Sequence, residues 1–192
     1  MTSHQAQLRQ TGREARCLLD DETRNAASTI IAEGVLASGW FQRAEYVGCY
    51  LPAPEEVNTW DVISRAWRMK KRVFAPVCEK NYRLQFREVS PKTDLRCNRH
   101  GILEPVGGET VAARMLDVVI TPVVAFDREN NRIGMGGGYF DRTFSFLRQR
   151  KGWLHPKLIG VAFACQQVAT IAPNPWDIRL FSVITEETAR SR

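Results

Sequence analysis

The sequence predicts an α/β protein, with a three-layer domain in which helices cover both faces of a mostly parallel sheet. Short apolar stretches typical of buried strands alternate along the chain with helical patterns, which is the arrangement of such a sheet. The composition, with 44% hydrophobic and 25% charged residues, is typical of a soluble globular protein. Because 192 residues suffice for one substantial core, we expect a single domain over residues 1–192.

The first part of the chain has helical patterns. Arg9, Arg13 and Arg16 are spaced by four and three residues, so they share one helical face, which we expect to be solvated. The stretch "DDETRNAASTIIAEGVLAS" then predicts an amphipathic helix that begins at Asp20 and Asp21. A further helix is expected after Asn58 or Thr59, either of which is a good N-cap residue.

The strands are predicted from short runs rich in apolar and β-branched residues. Five of these runs are "YVGCYL" (46–51), "RVFAPV" (72–77), "LDVVIT" (116–121), "KLIGVAF" (157–163) and "FSVIT" (181–185). The run "LDVVIT" is the strongest candidate for a central strand. The sixth run, "YRLQFREV" (82–89), alternates apolar and polar residues and predicts a half-exposed, antiparallel edge strand. Residues 90–110 show no period and predict a surface loop, and "DRTFSFLRQRK" (141–151) predicts a helix.

Charge and cysteine content narrow the function classes. The net charge of +6 favours a polyanionic partner, but no nucleic-acid-binding signature is present and the charges are scattered, so we expect no nucleic-acid partner. No run of about 18 apolar residues and no secretory signal pattern occurs, so we expect a cytoplasmic protein without a membrane partner. The five cysteines are widely spaced and predict free thiols.

One stretch, "IGMGGGYFDRT" (133–143), stands out by its glycines. Adjacent glycines let backbone N–H groups approach a ligand closely, and a helix that begins near Asp141 would favour phosphate oxygens at its N-terminus. Arg132 and Arg142 flank the stretch and could add charged donors. However, the spacing matches neither the dinucleotide fingerprint nor the P-loop. The residues therefore leave two interpretations open, a phosphate-binding loop or a glycine-rich turn without a ligand.

With its flanks, "TPVVAFDRENNRIGMGGGYFDRTF" resembles the C-terminal signature of the 5-formyltetrahydrofolate cyclo-ligase family, also called 5,10-methenyltetrahydrofolate synthetases. Six further segments agree in order along the chain, namely "QLRQTGR", "CYLPAPEEVNTWDVI", "KKRVFAPV", "GILEP", "GVAFACQQV" and "NPWDIRLFSVIT". The resemblance implies a Rossmann-like α/β fold with ATP and Mg²⁺ as cosubstrates, and we expect a monomer. The implied substrate is 5-formyltetrahydrofolate, with or without a polyglutamate tail, which the enzyme cyclises to 5,10-methenyltetrahydrofolate through a phosphorylated formyl intermediate.

The resemblance also implies roles for individual residues. Arg132 and Tyr139 match catalytic positions. The positions that match the ATP site are Arg9, Arg132, Ile133, Gly134, Met135, Gly136, Gly137, Gly138, Tyr139 and Phe140. The positions that match the folate site are Leu51, Glu56, Met135, Gly136, Gly137, Gly138 and Tyr139. Asp141 and Asp177 match the carboxylates that hold Mg²⁺, a cation that prefers oxygen ligands.

Several of these residues have simpler interpretations. Asp141 can cap the helix after the glycines, Asp177 can pair with Arg179, and Glu56 can favour a helix dipole. A paralogue that binds folate or nucleotide without turnover, or a basic nucleic-acid-binding protein, are the alternative functions.

The chain also departs from the family pattern. Gln5 and Gly137 stand where many relatives carry lysine, and Phe140 stands where tyrosine is common. We therefore expect phosphate binding to depend more on the loop amides, Arg9 and Arg132, and ATP affinity to be weaker.

Overall fold

The computed structural model describes residues 3–99, 101–149 and 155–190. In this part of the chain the strands are β1 Tyr46–Cys49, β2 Arg72–Cys78, β3 Leu84–Val89, β4 Leu95–Cys97, β5 Leu103–Pro105, β6 Thr110–Val111, β7 Val118–Pro122, β8 Ala125–Phe126, β9 Arg132–Ile133, β10 Lys157–Val161 and β11 Ser182–Ile184. The α-helices are α1 Ser3–Cys17, α2 Asp21–Ala37, α3 Gly39–Arg43, α4 Trp60–Arg68, α5 Tyr139–Thr143 and α6 Glu186–Arg190. Three short 3₁₀ helices span Ala113–Met115, Ser145–Gln149 and Ala164–Gln166.

The centre of the fold is a seven-stranded sheet in the order β11-β10-β7-β1-β2-β3-β6. Strands β11, β10, β7, β1 and β2 are parallel to one another. Next to β2, β3 pairs antiparallel with β2, and β6 pairs antiparallel with β3. The predicted α/β class with a mostly parallel sheet is therefore confirmed, as is the central place of the strand in "LDVVIT". Since parallel strands end at the same edge, the loops after β1 and β7 emerge side by side.

Side chains of the central strands alternate between two apolar layers. Val47 and Cys49 of β1 pack in the layer that includes buried residues of α2 and α4, such as Ile31 and Ile63. Gly48 faces the other layer, where an added Cβ would lie 3.0–3.2 Å from Val119, Leu116 and Phe86 side chains. That second layer contains Phe144 and is covered by α5, short 3₁₀ turns and irregular segments rather than by long helices.

Side-chain hydrogen bonds at the N-terminal ends of α2 and α4 show which of the predicted caps form. Asp20 Oδ1 accepts a hydrogen bond from Thr23 N at 2.7 Å, which confirms Asp20 as the N-cap of α2. Before α4, Asn58 Oδ1 accepts from Trp60 N at 3.0 Å, while the Thr59 hydroxyl donates to Tyr50 O instead. Of the two candidate cap residues, Asn58 therefore supplies the side-chain hydrogen bond.

Two predictions on strands were wrong. Residues 90–110 are not only a loop, because β4 and β5 pair antiparallel through Leu95 and Pro105. β3 is antiparallel as predicted but is not the edge strand, because Val111 of β6 pairs with Phe86. Strands of two or three residues are too short to show an alternating pattern, so the sequence gives no signal for them.

The helix predicted over residues 141–151 also differs from the observed structure. α5 begins at Tyr139, ends at Thr143 and is followed by the 3₁₀ helix Ser145–Gln149, and residues 150–154 lie outside the described residues. The tighter turn places Phe144 and Leu147, three residues apart, on the same side against the second apolar layer. Packing of these side chains therefore favours a 3₁₀ helix over the predicted continuation of the α-helix. Among the described residues, no helix is both long and apolar enough to span a membrane.

Candidate active site

The site is built on a small hairpin that follows β7. Strands β8 and β9 pair through Ala125 and Ile133, and the Asp127 carboxylate organises the turn between them. Its Oδ1 accepts from the backbone N–H groups of Glu129 and Asn131, both at 3.0 Å. Its Oδ2 accepts from Asn131 Nδ2 and Ile171 N, both at 2.9 Å. Burial raises the pKa of Asp127, but these donors outweigh it, so the pKa lies below its ordinary value.

The glycine loop, residues 134–138, leaves this hairpin at β9. Gly136 and Gly138 have φ angles of 99° and 67°, in the left-handed region that glycine adopts without a steric penalty. Residues 135–137 are exposed, and the Met135 side chain is 58% exposed. The Gly134 carbonyl accepts a hydrogen bond from Arg9 Nε at 2.7 Å. The glycines therefore form an exposed, conformationally specified loop rather than a strand extension.

Gly137 lies directly beside the ring of Tyr139. A Cβ at Gly137 would lie 2.8 Å from Tyr139 Cδ2, which is closer than real Cβ contacts allow. The Tyr139 ring in turn packs 5.7 Å from the ring of Tyr82, and Arg142 Nη1 donates to Gly137 O at 2.6 Å. The missing side chain at Gly137 is therefore part of the packing that fixes Tyr139.

Arg132 and Asp141 form a largely buried ion pair at the base of the loop. Both Arg132 Nη atoms lie 3.0 Å from Asp141 Oδ1, and the same oxygen accepts from Ile178 N at 3.0 Å. The side chains of Arg132 and Asp141 are 5% and 19% exposed. Burial lowers the pKa of Arg132, whereas the negative charges of Asp141 and Asp177 raise it. The guanidinium stays protonated, because arginine is not deprotonated in proteins.

The hydrogen bond from Ile178 N to Asp141 brings the segment that contains Asp177 to the Arg132–Asp141 pair. Asp177 immediately precedes Ile178, and its charge acts on Arg132. Asp177 Oδ2 accepts from the backbone and side-chain nitrogens of Asn174, at 2.8 and 3.1 Å. Arg179 pairs with Glu129, so the alternative in which Asp177 pairs with Arg179 is wrong. Asp141 and the segment around Asp177, 36 positions apart in the sequence, therefore lie near the same guanidinium.

The open oxygen of Asp141 fits a small cation. Within the described residues, Asp141 Oδ2 accepts no hydrogen bond, so it can serve as a ligand. The same residues contain no group of three or more His, Cys, Asp or Glu placed to hold a metal ion. Mg²⁺ commonly binds through one or two carboxylates supplemented by phosphate and water, and this donor set fits that pattern. A surface cleft of about 760 Å³ has Arg132 and Asp177 among its lining residues.

Helix α1 lies across the loops of this edge. Arg9 contacts Gly134 as described, and Gly12 packs so closely that a Cβ there would lie 2.2 Å from Val124 O. Arg16 is 3% exposed and lies near Glu55 and Glu56 in the loop after β1. The expectation that the arginine face is solvated holds for Arg13, which is exposed, and is wrong for Arg16. Burial lowers the pKa of Arg9.

The two residues that match folate positions follow β1. Glu56 Oε2 accepts from Ala53 N at 3.1 Å, and its side chain is 15% exposed. Burial raises the pKa of Glu56, and the Ala53 hydrogen bond and the charge of Arg16 oppose that increase. Leu51 is 4% exposed and packs in the apolar core, so it offers little surface to a ligand. Glu56 is therefore the stronger of the two as a recognition residue.

Sequence reasoning missed four residues that hold the site together. Asp127 closes the hairpin, Gln166 donates from Nε2 to Val123 O and Val124 O at 2.8 Å each, and Gly12 and Arg16 dock α1. Gln5, one of the departures from the family pattern, is buried and donates to Ala172 O at 3.3 Å. Only Gly12 had a signal in the sequence. Glycine inside a helix lowers the stability of the helix, so its presence there indicates close packing.

The fold and the site define an α/β protein with a glycine loop, a buried arginine and two carboxylates at the C-terminal edge of a parallel sheet. This chain belongs to the 5-formyltetrahydrofolate cyclo-ligase family, whose sequence profile matches residues 1–186. A 5-formyltetrahydrofolate cyclo-ligase of Haemophilus influenzae is 31% identical over 190 residues, covering 95% of this chain and 98% of the relative. One of Escherichia coli K12 is 37% identical over 148 residues, covering 74% and 78%.

Solved structures agree with this assignment. The NMR structure of an Aquifex aeolicus 5,10-methenyltetrahydrofolate synthetase matches with a TM-score of 0.80 and 29% identity, covering 95% of this chain and 90% of the other. A Mycoplasma pneumoniae 5,10-methenyltetrahydrofolate synthetase matches with a TM-score of 0.75 at 21% identity, covering 95% and 98%, and supports the fold.

Proposed function

We propose that the protein catalyses the ATP-dependent cyclisation of 5-formyltetrahydrofolate to 5,10-methenyltetrahydrofolate, with release of ADP and phosphate. The observation that carries the proposal is the convergence of Arg132, Asp141 and Asp177 beside the glycine loop in a chain of the cyclo-ligase family. This arrangement offers backbone donors, a fixed positive charge and two carboxylates at one edge of the sheet. Such a set suits the transfer of a phosphoryl group, in which positioning and charge stabilisation supply most of the catalysis.

The reaction proceeds in two steps. The formyl oxygen of the substrate attacks the γ-phosphorus of ATP, a P–O bond forms, and the bond to the bridging oxygen breaks to release ADP. The neighbouring amine nitrogen then attacks the formyl carbon and loses its proton, and the C–O bond breaks with departure of phosphate. ATP thus converts a poor oxygen leaving group into phosphate.

The loop and helix α1 form the nucleotide side of the site. Residues 133–140, with the exposed backbone at 135–137, receive the phosphates, and Arg9 holds the loop through Gly134 O. Arg132 fixes the Asp141 carboxylate and contributes positive charge close to the transferred group. Arg132 acts from a buried position and does not reach outward to the ligand, because both of its Nη atoms donate to Asp141.

Asp141 and Asp177 would hold Mg²⁺. When bound, the ion would offset the negative charge of the phosphates. Asp141 Oδ2 would be one ligand and the Asp177 carboxylate the other, and Arg132 and Ile178 N keep the Asp141 carboxylate in position.

The folate side lies at the loop after β1 and at Tyr139. An ionised Glu56 accepts hydrogen bonds from the amino-pyrimidine part of the pterin, and Leu51 borders it. Tyr139 begins α5 directly after the glycine loop and its ring is half-buried, so it can contact the folate where the formyl group meets ATP. We further propose that the protein acts as a cytoplasmic monomer and accepts folate with or without a polyglutamate tail.

The test is a direct assay. Incubation of the protein with 5-formyltetrahydrofolate, ATP and Mg²⁺ is expected to raise the near-ultraviolet absorbance of the methenyl product, with one ADP formed per product. Omission of ATP and the Asp141→Asn variant are the controls, and both should abolish the rise. Calorimetric binding of both substrates without product would instead establish a non-catalytic binding protein.

A further inference from the structure

Helix α1 connects the two sides of the site through one face. Arg9 contacts the glycine loop, and Arg16 follows seven residues later, two turns and about 10 Å along the same face. Gly12 lies between them against Val124 O. The close packing at Gly12 fixes the distance between α1 and the chain at Val124, so the backbone position of Arg16 is set by the fold.

Arg16 supplies charge rather than hydrogen bonds. Its side chain is 4% exposed, and its guanidinium lies 3.8 Å from Glu55 Oε2 and 3.7 Å from Glu56 Oε1. Both distances exceed those of good hydrogen bonds. Its Nε is buried and has no hydrogen-bond partner among the described residues. A buried guanidinium whose Nε lacks a partner is unfavourable for stability alone, which points to a role in the site.

Glu56 is the carboxylate that this charge acts on most directly. The Glu55 side chain is 49% exposed, whereas that of Glu56 is 15% exposed and has one oxygen fixed by Ala53 N. The other groups that act on Glu56 are Glu55 in the same loop and Tyr50 at the end of β1. Tyr50 donates its hydroxyl to Val57 O, and burial together with Glu56 raises its pKa well above the ordinary value, so it stays neutral. Arg16 is thus the positive charge that faces Glu56 from α1.

We infer that Arg16 is a positioning residue, which keeps the Glu56 carboxylate ionised and aimed at the amino-pyrimidine donors of the pterin. The inference rests on the proposed function, since it takes Glu56 to be the folate contact. Without Arg16, burial favours the protonated carboxyl, which donates a proton where the pterin also offers donors. Arg16 therefore acts on folate affinity through Glu56 and has no part in ATP binding.

Two substitutions of Arg16 separate charge from packing. Arg16→Met keeps a long apolar side chain and removes the charge, and Arg16→Lys keeps the charge without the planar guanidinium. For Arg16→Met, we expect the KM for 5-formyltetrahydrofolate to rise by about 10- to 100-fold, the effect of losing a charged hydrogen bond. The KM for ATP should change less than about threefold, and Arg16→Lys should recover part of the folate affinity.

The pH profile gives a readout that a merely structural role would not change. Because Glu56 is protonated more readily without Arg16, the KM for folate in Arg16→Met should begin to rise at a higher pH than in the unmodified protein as the pH falls. An equal rise of both KM values, or an unchanged pH profile, would overturn the inference.

A double substitution tests whether Arg16 acts through Glu56. In the Glu56→Gln background, Arg16→Met should raise the folate KM less than about threefold, since the charge it supports is already gone. A multiplicative increase would show that Arg16 acts independently. The double variant also removes both buried charges, so it should fold even where Arg16→Met alone does not.

Two further outcomes are distinguishable. If the unmodified protein forms no methenyl product, the proposed function fails and the inference fails with it. If the protein is active and Glu56→Gln leaves the folate KM unchanged, the inference fails while the proposed function stands.

Discussion

Arg132 and Asp141 form a two-donor ion pair in which both Nη atoms of the arginine lie 3.0 Å from one carboxylate oxygen. Ile178 N donates to the same oxygen, also at 3.0 Å, so the pair connects the glycine loop to the segment that contains Asp177. The second oxygen of Asp141 is left for a ligand. One carboxylate therefore satisfies a buried arginine and, in the proposed function, would also present an oxygen to Mg²⁺.

These two roles predict different results for Asp141 and Asp177, the aspartates proposed to hold Mg²⁺. Asp141→Asn leaves Arg132 without its counter-charge, so we expect turnover to fall by about 100-fold or more and the free energy of unfolding by about 2 kcal/mol or more. Asp177→Asn should lower turnover with a much smaller loss of stability, because Asp177 acts on Arg132 only at a distance. Turnover and urea unfolding of both variants provide the measurement.

Asp61→Asn at the exposed start of α4 is the control for this pair and should change neither quantity appreciably. Equal losses of stability in Asp141→Asn and Asp177→Asn would contradict the connecting role of Asp141.

Gly12 gives a prediction whose sign is opposite to helix propensity. In a solvated helix, a change from glycine to alanine stabilises by about 1 kcal/mol. At Gly12 the new Cβ would lie 2.2 Å from Val124 O, so α1 must move away. We expect Gly12→Ala to destabilise the protein by about 1 to 3 kcal/mol and to raise the KM for both substrates, because Arg9 and Arg16 move with the helix. Thermal unfolding and steady-state kinetics measure these effects.

Thr11→Ala is the matched control, since Thr11 is exposed on the same helix. A stabilised and fully active Gly12→Ala variant would show that the contact with Val124 yields at little cost.

The parallel part of the fold could be predicted because each of its strands has a recognisable local sequence pattern. Runs such as "LDVVIT" are long, apolar and β-branched, as a strand buried on both faces requires. The hairpin of β4 and β5 and the two-residue β6 could not be predicted, because their pairing depends on partners distant in the sequence. The early end of α5 at Thr143 likewise reflects packing against the sheet, which overrides local propensity.

In the site, the sequence indicated the glycine loop but not the residues that hold it. Local spacing alone left its function open between a phosphate site and a turn. The burial of Arg16 depends on Glu55 and Glu56, about forty positions away, and the role of Gly12 depends on a backbone carbonyl at Val124. No periodicity in α1 encodes these contacts, so its arginine face was expected to be solvated.

Substitutions at Gly137 and at Gly134 together test the packing of Tyr139. A Cβ at Gly137 meets the Tyr139 ring at 2.8 Å, whereas a Cβ at Gly134 meets nothing within 4 Å. We expect Gly137→Ala to lower kcat by about 10-fold through displacement of the ring, because even a 1 Å misplacement can cost about 100-fold. Gly134→Ala, whose new Cβ meets no protein atom, should lower kcat less than Gly137→Ala does. Indistinguishable kcat values for the two variants would show that the ring position does not matter for turnover.

Asp127 makes the stability of the site hairpin dependent on pH. Its folded-state pKa is lowered by its N–H donors, although burial raises it, and the unfolded chain has the ordinary value near 3.9. A lowered folded-state pKa means that the carboxylate contributes stability above the unfolded pKa and loses it as the pH falls through the folded value. We expect Asp127→Asn to cost about 2 kcal/mol or more at neutral pH, because four N–H groups then lose a charged acceptor. The difference in unfolding free energy between the two proteins should be constant above about pH 5 and shrink below it. Urea unfolding at a series of pH values measures this difference, and one that stayed constant down to the acid transition would show that the hairpin does not depend on the ionised carboxylate.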